Sequence, residues 1–158
     1  LGYSLAREIS SSKLLHKNQS LLYHAYKNNL PVLAFVAVGT DIIHQHPSFD
    51  AGLTGEGSLR DFHSLVERIC GINDGGVVLN FGSAVVLPEA FLKALNLARN
   101  LGNKVKGFTT ANFDMLYQYR PAQNVVQRPV EPGGKGYYII GHHEIMLPLF
   151  AQAVMEKI

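Results

Sequence analysis

The feature that most constrains the fold is an abrupt change of character at Gly39. Pro31 to Val38 is apolar throughout, and the chain then turns at once to Thr40, Asp41, His44, His46 and Asp50, with glycines at 52, 55 and 57. An apolar run of that length without alternation reads as a strand buried on both faces, as in a parallel sheet. Polar chemistry directly after such a strand is the pattern of the ligand edge of an open α/β sheet.

The pattern of strand, polar loop and helix recurs along the chain. Strands are expected at 77–81, 105–110 and 136–140, each discharging into polar residues: Gly82-Ser83-Ala84, then Thr109, Thr110, Asn112 and Asp114, then Gly141, His142, His143 and Glu144. Helices are expected from Ser58, where Ser58 and Asp61 resemble a capping box, from Pro88, and from near Pro148. Ahead of the first strand, 2–9 and 13–28 carry helical periodicity. Residues 1–29 thus read as leading helices that continue from a preceding amino-terminal half, and 30–158 as an α/β ligand-binding domain. Parallel strands joined by helices bring every polar loop to one carboxyl edge. This places Asp41, His44, Ser83, Asn112, Asp114 and His142 in one expected crevice. The segment 117–134 is long for a connection, which marks it for function.

Composition narrows the function classes. Fourteen basic and 12 acidic residues, without runs of either sign, argue against nucleic acid or an anionic membrane surface as partner. No apolar run is long enough for a membrane span. The single cysteine, Cys70, cannot pair within the chain, which fits a reducing, cytoplasmic setting.

Three chemistries compete for the expected edge. Gly52-x-x-Gly55-x-Gly57 and Gly82-Ser83-Ala84 each lie between a strand and a helix, where glycine lets backbone N–H groups approach phosphate. A metal-dependent enzyme would draw on the His44/His46 pair and on His142/His143, with Asp41, Asp50 and Glu144 nearby. A purely structural reading assigns these residues to caps and turns, and leaves a non-catalytic ligand-binding or oligomerisation module. Arg120 and Arg128, each followed by proline, suit bidentate contact with a carboxylate or phosphate.

The chain resembles the carboxyl-terminal half of the deoxyhypusine synthase family, including its bacterial relatives of unclear activity. The carrying residues are Thr40-Asp41 after the first apolar run, similar to the family's Thr-Asp-Gly turn, the segment GGVVLNFGSAVVLPEAFLKALNLARNLG, and the closing GHHEIMLPLFAQAV. The resemblance covers about residues 30–158. It implies a three-layer Rossmann-like fold with a mostly parallel sheet, NAD bound at the carboxyl edge, transferase chemistry and a homo-oligomer, dimer or tetramer. On it, Gly39, Thr40, Gly82, Ser83, Thr110, Asn112, Asp114 and Arg128 are cofactor-binding candidates, and Asp41, His44, His142 and Lys135 catalytic ones. Three departures set the reaction apart, one being that the family's histidine after the Gly-Gly strand is missing, with Asn80 to Ser83 in its place. The family's imine-forming lysine falls near Arg128-Pro129, where arginine stays protonated, and Lys135 is the nearest lysine. The family's acidic polyamine-holding segments have no counterpart between Gln118 and Val130. The expectation is therefore an NAD- or nucleotide-binding domain of an enzyme that acts on a small molecule by a reaction other than polyamine butylamine transfer.

Overall fold

The computed structural model describes residues 1–131 and 133–157. The chain divides into two compact units, Leu1–Leu65 and the residues from Val66 onward.

In the first unit, α1 (Gly2–Ser11) and α2 (Leu21–Lys27) are followed by an irregular segment with a 3-10 turn at Ile42–Gln45 and by α3 (Ala51–Ile69), which carries on past Leu65. Ser20 caps α2 by accepting from Tyr23 N, so the helix expected over 13–28 is broken, with a 3-10 turn at Lys17–Gln19. The run Pro31–Val38 is not a strand. Its central N–H, on Ala34, donates instead to the Asp61 carboxylate at 2.7 Å. The same carboxylate accepts from Gly2 N at 3.0 Å and from the Leu1 amine at 3.1 Å. Burial alone would raise the pKa of Asp61, but these donors outweigh it and hold the carboxyl below its usual range. An apolar run satisfies its backbone as a strand only where a neighbouring strand offers partners. Here a side chain supplies one of them.

The Gly-rich stretch after that run is also not a loop. Asp50 accepts from Leu53 N at 2.8 Å, and α3 starts at Ala51, with Gly52, Gly55 and Gly57 inside it. Asp61, expected at a helix start, lies well within α3 and fastens the unit together.

The second unit is mixed α/β, built on a three-stranded parallel sheet in the order β1 (Val77–Phe81), β2 (Thr109–Asp114), β3 (Lys135–Ile140). The first and last strands fall where the sequence places them. The middle one is displaced from the expected 105–110, because Gly107 adopts φ +69° and its absent Cβ position lies 2.7 Å from Asp74 Oδ1. Pairing therefore begins at Thr109, and the polar TTANFD becomes the central strand.

Side chains alternate across the sheet. Val77, Leu79, Ala111, Phe113, Tyr137 and Ile139 face α6 (His143–Met155) across an apolar cavity of about 460 Å³, and Phe81 stacks on Phe113 at 4.4 Å. The opposite face takes the segment after β2. That segment is helical rather than a loop: a short turn of α-helix, α5 (Tyr119–Pro121), then π-helical Ala122–Gln127, then a 3-10 turn at Arg128–Val130. Gly136 permits this packing, since a Cβ there would lie 1.9 Å from the Val126 carbonyl oxygen. The connection from β1 to β2 is α4 (Val86–Asn100), which buries Phe91, Leu92, Ala94, Leu95 and Ala98 at helical spacing. Arg99 closes its end, donating to the carbonyls of Val105 and Pro129. α6 starts at His143, earlier than Pro148, which lies inside it.

Candidate functional site

Parallel strands deliver the ends of β1, β2 and β3 to one edge, and backbone hydrogen bonds tie the loops that leave it. Gly82 N donates to Phe113 O at 3.0 Å, and Gly141 N donates to Asp114 O at 3.0 Å. Gly82, Asp114 and Gly141 are thus contiguous, with Ser83 and His142 next in chain. Gly82 has φ +66°, and the ring of His143 lies 3.2 Å from its absent Cβ position. A side chain at 82 would meet both a strained backbone and that ring.

Beneath the edge lies a buried polar row. Asn80, Asn112 and Tyr138 are in register on neighbouring strands. Asn80 Nδ2 donates to Ser83 O at 2.9 Å and to Asn112 Oδ1 at 2.5 Å. Because Ser83 O can only accept, this network fixes both amides and leaves Asn112 Nδ2 pointing away from Asn80. That nitrogen is buried without a partner, as is Thr110 Oγ1 one repeat earlier. Asn112 itself is 0% exposed and Asp114 8%.

The loop after β2 is fastened to this row. Leu116 N donates to Asp114 Oδ1 at 3.3 Å, Gln118 N donates to the Tyr138 hydroxyl at 2.7 Å, and that hydroxyl donates to Leu116 O at 2.9 Å. Burial, then the charges of Asp114 and Tyr117, push the Tyr138 pKa above its ordinary value, against the pull of the Gln118 N–H and of the nearby Asn112 amide, which falls short of hydrogen-bond geometry with the hydroxyl. Met115, Leu116 and Tyr117 are exposed.

Of the expected site residues, the structure brings Gly82, Ser83, Asp114 and His142 to this edge, while Asn112 lies inside β2, fully buried beneath it, because the strand begins at Thr109 and runs on through it. Thr110 is buried within β2, not in a loop after a strand. Lys135 begins β3, at the opposite end of the sheet. Arg128 opens the 3-10 turn that precedes it, with its guanidinium turned back to Asn124 at 3.4 Å. Neither takes the position expected of it, because the chain has already crossed the sheet before reaching them. Gly39, Thr40, Asp41 and His44 were to be placed by a strand at 31–38, and with no strand there they do not follow from the sheet. His44 Nδ1 accepts from Gly39 N at 3.2 Å and its ring meets Phe49 edge-on at 4.8 Å. His46 Nδ1 is paired with Ser48 Oγ at 2.7 Å.

Sequence reasoning missed Asn80 and Tyr138. Both sit mid-strand in apolar runs, and their one signal is a polar atom interrupting a buried strand.

The start of α4 offers a phosphate little. Leu87 N is taken by Ser83 Oγ at 3.2 Å, Glu89 N by Val85 O, Pro88 has no N–H, and Glu89 already places a negative charge in the first turn. Glu89 in turn holds Asn124, Lys93 and Arg120. Among the described residues, no three His, Cys, Asp or Glu side chains are placed to share a metal ion, and no helix is long and apolar enough to cross a membrane.

No family model, curated protein or solved structure matches this chain.

Proposed function

We propose that the second unit is the ligand-binding part of a nucleotide-dependent enzyme, with a dinucleotide such as NAD held against the carboxyl edge of the sheet. The observation that carries this reading is the convergence of Gly82, Ser83, Asp114 and His142 on that edge, above the partnerless Asn112 amide. In open α/β sheets this is the edge that takes ligand. A Rossmann-like scaffold, as the sequence resemblance implies, would suit the same arrangement; Arg128, turned back to Asn124 ahead of β3, takes no part in it. The order β1-β2-β3 does not reverse within itself, so the crevice of such folds would need a further strand outside β1. A homo-oligomer accords with α6, which is apolar on nearly every side from Ile145 to Met155 and has no buried residue.

The test is calorimetric titration of the full chain with NAD+, alongside mass spectrometry of small molecules released from the purified protein. Saturable binding that His142→Ala weakens several-fold, with folding unchanged because His142 is exposed, supports the reading. Absence both of a released nucleotide and of any NAD+ heat refutes it.

A further inference from the structure

We infer that Asn112 and Asp114 together read a ligand group that carries a hydrogen-bond acceptor and a donor on neighbouring atoms, as a primary carboxamide or the adenine edge does. The inference rests on the nucleotide reading above and names the part of the ligand that this site selects.

The two side chains lie on the same face of β2, since Ala111 and Phe113 between and beside them face α6. Their Cα atoms are two strand rises apart, about 6.6 Å. Asn112 presents a donor with no acceptor, and its orientation is fixed by Asn80. Asp114 presents a carboxylate with one oxygen engaged by Leu116 N. The O···N separation within a primary amide is about 2.3 Å from its bond lengths. Two hydrogen bonds of about 2.9 Å added to that width, bent inward, are of the same order as the backbone spacing of the two residues. A carboxylate in the same place would set like charge against Asp114, and a second acceptor would leave Asp114 without a donor. Both are penalised in a buried site.

Entry requires movement, because Asn112 is fully buried. The piece placed to move is Met115–Gln118, whose side-chain fastenings run to Tyr138 and Asp114. It carries three exposed apolar side chains, Met115, Leu116 and Tyr117, available to close over a ligand. Tyr138 stands in register with Asn112, so the same hydroxyl that pins this strap lies beside the orphan amide. Opening the strap therefore loosens the hydroxyl of the strand next to that amide.

The experiment compares three ligands on the unmodified full chain: NAD+, its analogue with nicotinic acid in place of nicotinamide, and its analogue with hypoxanthine in place of adenine. The first analogue removes the carboxamide donor and the second the adenine donor, so the pair tells which end is read. One of them is expected to bind about tenfold or more weakly than NAD+, the cost of an unmade hydrogen bond to a buried charged group. Asp114→Asn should narrow that gap, by removing the charge and supplying a donor to the added oxygen. Tyr138→Phe should speed amide hydrogen exchange at Gln118, which loses its acceptor, and speed NAD+ association. Equal affinity for all three ligands overturns the inference while the nucleotide reading stands. Failure of NAD+ to bind either the unmodified protein or Tyr138→Phe overturns both. The comparison on unmodified protein holds even where a variant fails to fold.

Discussion

Replacing Gly55 by alanine separates two accounts of the stretch between Asp50 and Ser58. As a phosphate-cradling loop it would need glycine for its backbone freedom. As the first turns of α3, capped by Asp50, it would be better served by alanine. Gly55 sits within α3, a Cβ built on it meets nothing within 4 Å, and its φ is not in the left-handed region. The substitution therefore gains the full propensity difference, about 0.8–1.0 kcal/mol, with no steric charge against it. Gly57 provides the contrast on the same helix. There a Cβ would fall 2.8 Å from Leu1 Cγ, so the same propensity gain is opposed by displacement of a packed side chain. Urea unfolding followed by far-ultraviolet circular dichroism reads both variants. Gly55→Ala should raise the midpoint by an amount equivalent to about 1 kcal/mol, and Gly57→Ala by less or not at all. A loss of stability in Gly55→Ala, with unchanged slope, would show that position 55 requires a glycine conformation and would return the segment to a loop.

Three further outcomes are expected. Gly136→Ala should destabilise the second unit by about 1–3 kcal/mol or more, because the clash is with the Val126 backbone, which no rotamer change relieves; a neutral effect in thermal unfolding would mean that the π-helical segment does not pack on β3 as described. The Asp61 carboxyl titrates below its unfolded value, so its contribution is present above the unfolded pKa and is lost as pH falls through the lower, folded one. Asp61→Asn should accordingly flatten the acid side of the stability profile below about pH 4, and an unchanged profile would refute the clamp. Lys135→Ala should leave NAD+ affinity unchanged, since Lys135 begins β3 at the far end from Gly82 and Asp114; a borohydride-trapped polyamine adduct on Lys135 would overturn that placement and restore the synthase reaction.

Much of the second unit was legible in order along the chain. Val77–Phe81 and the strand ending at Ile140 announce themselves as apolar runs bounded by glycine, and α4 by the 3.6-residue spacing of Phe91, Leu95 and Ala98. Local signals of this kind also identified Gly82-Ser83 and Asp114 as edge residues, since a polar residue after a strand is visible without knowing its neighbours. What the sequence could not decide was partnership. Pro31–Val38 has the composition of a buried strand, yet its Ala34 N–H goes to Asp61, a side chain 27 positions away that no local pattern announces. The polar TTANFD has the composition of a loop, yet it is the central strand because partners exist on both sides of it. The orphan amide of Asn112 likewise exists only because Asn80 and Tyr138 stand beside it in register. Hydrophobic period reports how a segment is buried, which is a property of the segment. Hydrogen-bond partnership belongs to pairs of segments, and only the folded chain brings the pairs together.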